Sequence, residues 1–163
     1  MREHFIFCYR FNLGHVERLV SDLTDEQMVA QPHGLVNHPA WTLKHLVLSS
    51  DYGAQLFGLE STIPEDWKGK SSPGSLPSGD ASQYPSKEVL LAALRVQHDR
   101  ITDVVLGVEA SFFDQDCPSE RLRSHFPKMG DFVGFLMASH EAGHIGQLAA
   151  WRRAMGLDPV RGG

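Results

Sequence analysis

Ser139-His140-Glu141-Ala142-Gly143-His144-Ile145-Gly146-Gln147 lies inside a run with helical periodicity, and its reading decides the fold. Phe132, Leu136, His140, His144 and Trp151 follow one stripe, and Phe135, Met137, Leu148 and Met155 widen it. The pattern predicts a long last helix from about Gly130 to Gly156, a C-cap glycine with Pro159 just beyond. His140 and His144 stand four residues apart, so their side chains share a helix face with Cβ atoms roughly 5–6 Å apart. Such a pair can grip one ion, because metal–nitrogen bonds of about 2.0–2.1 Å require two imidazoles to converge.

Outward from this stretch the chain continues to read as helix. A first helix is expected from about Glu3 to Asp22, with Phe5, Cys8, Phe11 (or Leu13), Val16, Leu19 and Leu23 on its buried side. Thr24-Asp25-Glu26-Gln27 has the pattern of a capping box and opens a short helix that stops before Pro32. Asn37-His38-Pro39 opens the next long helix, with Pro39 suited to the first helical position, and it runs to about Gly58. His45 falls in the middle of its apolar side, one turn beyond Trp41. Residues 59–85 hold four of the nine prolines (Pro64, Pro73, Pro77 and Pro85) with Ser, Gly and Asp between them, which predicts a long crossover or a covering loop. Ser86 then caps a third long helix whose buried side is Val89, Leu90, Ala93, Leu94, Ile101, Val104, Val105 and Val108, with His98 as a further polar group in the core. From Glu109 to Met129 the pattern is irregular; Phe112-Phe113 is expected to plug one end of the core, and His125 reads as a surface residue. No alternating strand pattern and no internal repeat is present, so the expected fold class is an all-α bundle of four main helices plus a short one.

Composition narrows the function classes. With 163 residues the chain supports one domain, 1–163. A net charge of −5 lacks the electrostatic footprint of a nucleic-acid binder. No stretch approaches the roughly 18 apolar residues that span a bilayer, so no membrane association is expected. Phe5-Ile6-Phe7-Cys8 is too short for a secretory core, and Cys8 and Cys117 form no C-x-x-C, so reduced thiols and a cytoplasmic location are expected.

The string His140-Glu141-x-x-His144 is also a literal H-E-x-x-H, in which Glu141 would serve as the general base of a metallohydrolase. The extended form of that motif fails, because Gln147 stands where its glycine belongs and no histidine follows His144. A third ligand must come from upstream, and His45 is the best candidate: a His45–His140–His144 site would join two helices and keep an open coordination position.

The segment Asn37-His38-Pro39-Ala40-Trp41-Thr42-Leu43-Lys44-His45-Leu46 resembles the second-helix signature of the DinB-like (DinB/YfiT) superfamily, and His140-Glu141-Ala142-Gly143-His144-Ile145-Gly146-Gln147-Leu148 resembles its last-helix signature, H-x-x-x-H-x-G-Q. Lys44 departs from the family pattern, in which a small residue is common, and so does the extended 59–85 loop. The resemblance implies an up-down-down-up four-helix bundle with a long crossover, a homodimer, and a divalent metal site (Zn2+ or Ni2+) on His45, His140 and His144. It further implies a small-molecule substrate and, as in some members, a transferase that uses a low-molecular-weight thiol. Glu141 would then be a proton acceptor or a partner to the ligands, and Gln147 a helix-packing hydrogen bonder. The alternative class is a non-catalytic metal-binding or stress-associated bundle.

Overall fold

A computed structural model of the chain describes residues 2–68 and 75–160, which leaves Pro73 outside the described residues. The elements in order are α1 (Arg2–Val20), a short α2 (Asp25–Met28), α3 (Pro39–Leu56), α4 (Lys87–Gly107), a short α5 (Glu120–Arg123), and a last rod. The rod consists of α6 (Met129–Gly134), a π-helical stretch (Phe135–His140) and α7 (Glu141–Ala154). There is no strand among the described residues.

The long helices form a ring in which α1 packs on α4 and the rod, and α3 packs on the same two. Two apolar clusters give their directions. One gathers Val16, Leu19 and Val20 from the end of α1 with Leu23 just beyond it, Leu43 to Val47 from the first half of α3, Leu90 and Leu94 from the start of α4, and Ile145 to Trp151 from α7. The other gathers Ile6 and Tyr9 from the start of α1, Ala54 from the end of α3, Ile101 and Val105 from the end of α4, and Met129 to Met137 from the rod's first half. Thus α1 and the rod run one way and α3 and α4 the other: the bundle is up-down-down-up, and consecutive parallel helices α3 and α4 require a long crossover.

Local chemistry sets the helix ends. Thr24 and Gln27 form the expected capping box, with Thr24 Oγ1 accepting from Gln27 N at 3.3 Å and Gln27 Oε1 from Thr24 N at 2.9 Å. The cap of α3 is His38, whose Nδ1 accepts from Trp41 N at 3.2 Å while Nε2 meets Ser78 O at 2.9 Å. Only the tautomer with hydrogen on Nε2 serves both bonds, so one buried imidazole closes the helix and pins the crossover. Burial holds the His38 pKa below its ordinary value. Close packing of α3 on the rod needs Gly53: a Cβ there would lie 2.5 Å from Leu136 Cδ2.

Three expectations change. The buried face of α1 is Ile6, Tyr9, Asn12, Val16, Leu19 and Val20, whereas Phe11 is exposed, stacked on a still more exposed Phe7. Tyr9 and Asn12 win the inner face because partners wait there: Tyr9 Oη pairs with Ser50 Oγ at 2.8 Å. The last helix is not uniform, since its backbone widens into π geometry over Phe135–His140. Val89 lies on the exposed side of the first turn of α4. Phe112 and Phe113 do pack against the second cluster, with Phe112 stacked on Phe57 at 5.1 Å between ring centroids.

The crossover is held by one carboxylate. Asp51, 3% exposed, accepts from Ser61 Oγ at 2.7 Å, Thr62 N at 3.0 Å, Gln55 Nε2 at 3.0 Å and Arg100 Nη1 at 2.9 Å. These bonds keep its carboxyl below the usual range despite burial, which acts the other way. Asp51→Ala removes every acceptor at once and leaves Arg100 partly buried, so it should cost about 2–4 kcal/mol in urea unfolding. Amide exchange should speed up first in 59–68; unchanged exchange there would show that the crossover is held by something else.

Candidate metal centre

His45 sits two turns into α3, with its ring stacked on Trp41 at 4.9 Å and 5°. His140 closes the π-helical stretch and His144 lies one turn along α7. Because α3 and the rod are ring neighbours, the three imidazoles converge: one nitrogen from each lies within 4.8 Å of the others. His45 Nε2 and His140 Nε2 are 3.1 Å apart. Two bonds of about 2.0–2.1 Å to one ion place donor atoms roughly 3 Å apart, so this spacing fits a shared divalent ion.

A partner outside the cluster fixes the orientation of His144. Its Nδ1 meets Gln147 Oε1 at 3.1 Å, and the same oxygen accepts from Asn37 Nδ2 at 3.2 Å. The acceptor on Gln147 requires hydrogen on His144 Nδ1, which leaves Nε2 with its lone pair free for a ligand role. Gln147 was expected to be a helix-packing hydrogen bonder; it does bond to Asn37 just before α3, and it also orients the imidazole. The i, i+3 spacing of His144 and Gln147 carries that signal in the sequence, whereas Asn37 arrives from another helix end. His140 Nδ1 is buried and has no hydrogen-bond partner.

The site favours the neutral form of His140 and His144. Burial, and then the neighbouring charges of His144 and His45, lower the His140 pKa to about 3. Burial and then His45 lower that of His144 to about 4. Neutral imidazole is the form that ligates.

Glu141 lies elsewhere. Its side chain, 1% exposed, turns to the core, where Oε1 accepts from His98 Nε2 at 2.8 Å. The His98 ring stacks face to face on Tyr9 at 3.5 Å. Burial pushes the Glu141 carboxyl up, against the hydrogen bond from His98 that pulls it down. Its oxygens are not part of the three-histidine cluster.

The histidines form the floor of a cavity of about 740 Å³. Trp41, Tyr52, Phe126 and Phe135 line its walls, with Arg121 and His125 at one side. His125 is an exposed residue, as expected, but it also faces this space. The roof is the segment 115–129, closed on itself by Cys117 N to Pro127 O at 3.0 Å, Met129 N to Gln115 O at 2.9 Å, and Lys128 Nζ to Asp116 Oδ1 at 2.6 Å. Tyr52 Oη, donating to Ser119 Oγ at 2.9 Å, ties the roof to α3. No sequence pattern marked this segment as a cover, because short hydrogen bonds within an irregular loop leave no periodicity.

The model of one protein family, described as the DinB superfamily, matches residues 9–148. That span contains α3, the crossover, α4, the roof and all three histidines. No match was found among curated proteins or among solved structures.

The depressed histidines predict a pH response. Between about pH 6.5 and about 4, the unfolded chain takes up protons that the folded imidazoles refuse, so stability must fall as pH falls. The raised Glu141 acts oppositely, losing stability as pH rises past its ordinary value. Two histidines outweigh one glutamate, so the thermal midpoint of metal-free protein should drop on acidification through that window. His140→Asn should flatten the drop; equal slopes for both proteins would mean that His140 is not held neutral by burial.

Proposed function

The chain belongs to the DinB superfamily, and from that premise we propose that it is a divalent-metal-binding bundle that transfers small electrophilic groups to a low-molecular-weight thiol. The observation that carries the reading is the convergence of three imidazoles at the floor of a cavity large enough for a small molecule. We assign the ligand role to His45, His140 and His144. Imidazole suits several divalent ions, zinc and nickel among them. An ion held there would supply Lewis acidity, which favours the thiolate of a thiol that reaches it.

The chain's own groups do the remaining work. The aromatic walls make the cavity largely apolar, and one face of the histidine cluster is open to it. Gln147, held by Asn37, keeps His144 in one tautomer. Glu141, paired with His98 in the core, is placed to stiffen the rod and not to take a proton from a substrate. That placement counts against a metallohydrolase built on the H-E-x-x-H string. The exposed Phe7–Phe11 pair on α1 is the surface we assign to self-association.

Protein purified without affinity-tag metals should carry about one ion per chain by elemental analysis, as a single three-histidine site requires. His45→Ala or His144→Ala should remove it with the helical circular-dichroism spectrum intact. Gln147→Ala should weaken metal affinity by roughly 10–100-fold, as loss of a ligand's orienting partner does. No bound metal, and no uptake of added zinc or nickel, would reduce the cluster to polar core packing. With metal bound, failure to join any thiol of a panel (cysteine, glutathione, bacillithiol, mycothiol) to an aryl chloride with loss of chloride would favour the non-catalytic alternative.

A further inference from the structure

The charge pattern of the cavity differs from that of the protein. The chain carries 20 acidic residues against 15 basic ones, yet no carboxylate lines the space above the histidines. The basic groups that do line it, beyond the three imidazoles of the floor, are Arg121 and His125. No hydrogen bond or ion pair engages the Arg121 guanidinium among the described residues, whereas its neighbour Arg123 spends its own group on Cys117 O at 2.7 Å. Arg121 does not lie on a loose loop. It is carried on α5, whose cap Ser119 is tied to Tyr52 and whose flanks are closed by the bonds of the roof. An unpaired guanidinium on a fixed support, beside aromatic walls, selects a negative charge attached to an apolar body.

We propose that the cavity takes a small organic anion, a carboxylate on an apolar or aromatic body, with its charged end at Arg121 and its other end toward the histidines. This deepens the proposed function by naming a substrate class, and it rests on that reading only for which end reacts. His125, on the same side, is the second group that such an anion would meet.

The test compares 4-phenylbutyrate with the uncharged 4-phenylbutanol, each titrated calorimetrically into metal-free and zinc-loaded protein whose metal content is measured on the same samples. Metal-free protein should prefer the anion by roughly three- to tenfold, the range for one partly exposed charge-assisted contact. Raising the salt concentration should shrink that preference. Arg121→Gln should abolish it with butanol binding unchanged, and Arg121→Lys should restore part of it. Equal binding of the two probes overturns the proposal, as does no binding of either. A preference that survives Arg121→Gln and vanishes on metal removal also overturns it, because the ion would then read the charge. If no metal binds but the Arg121-dependent preference persists, the thiol-transfer reading fails and the anion site stands.

Discussion

Midway along the bundle, polar side chains from all four long helices are buried or half-buried, and most of them find a partner inside the protein. Tyr9 and Asn12 come from α1, His45 and Ser50 from α3, His98 from α4, and His140 and Glu141 from the rod. They lie between the two apolar clusters that close the ends of the core. An unpaired polar group there costs on the order of 1–3 kcal/mol, so the layer tolerates little slippage. A shift of α1 or α3 by a turn would part Tyr9 from Ser50, and a shift of α4 or the rod would part His98 from Glu141. The layer therefore sets the register that the apolar clusters, which are less directional, leave loose.

That layer has two sides with different chemistry. On the inner side, donor meets acceptor: His98 Nε2 donates a hydrogen bond to Glu141 Oε1, and Tyr9 stacks on the His98 ring. On the cavity side, three imidazoles meet with no carboxylate among them. Adjacent residues of one rod, His140 and Glu141, serve the two sides. A step of one residue turns a helix by about 100°, which sends the imidazole to the cavity and the carboxylate to the core. The π-helical stretch ends at His140, where a widened turn is found at many functional sites.

How much of this could be read from the sequence depended on the kind of signal. The helix order and the pairing of His140 with His144 follow from periodicity, and a capping box such as Thr24–Gln27 is written in adjacent residues. The third histidine was reachable because a polar residue inside an apolar stripe needs an explanation. The inner face of α1 was misjudged because hydrophobicity favours Phe11 over Tyr9 and Asn12. The preference reverses only when Ser50 and the polar layer stand opposite, and those are long-range facts. Lys44 is similar: it is buried at 1% and its ammonium lies over the Tyr84 ring at 5.8 Å, a cover supplied by the crossover. His38 offered no recognisable cap signal, since histidine is not among the usual capping residues.

Connection order explains why the cavity opens where it does. With α3 and α4 parallel, the crossover must return along the bundle to the start of α3, where Ser78 meets His38 and Ser75 Oγ accepts from Trp41 Nε1 at 3.1 Å. Among the described residues it meets the cavity's lining at Trp41. The shorter link from α4 to the rod begins at the opposite end, near Phe57 and Phe112, and has residues to spare. Those residues fold back as the roof, tied to α3 through Tyr52 and Ser119. The two links thus approach the histidines from opposite ends of α3 and leave a space between them. A bundle with antiparallel α3 and α4 would need no crossover, and the Trp41 wall would lose the hydrogen bond that holds its indole.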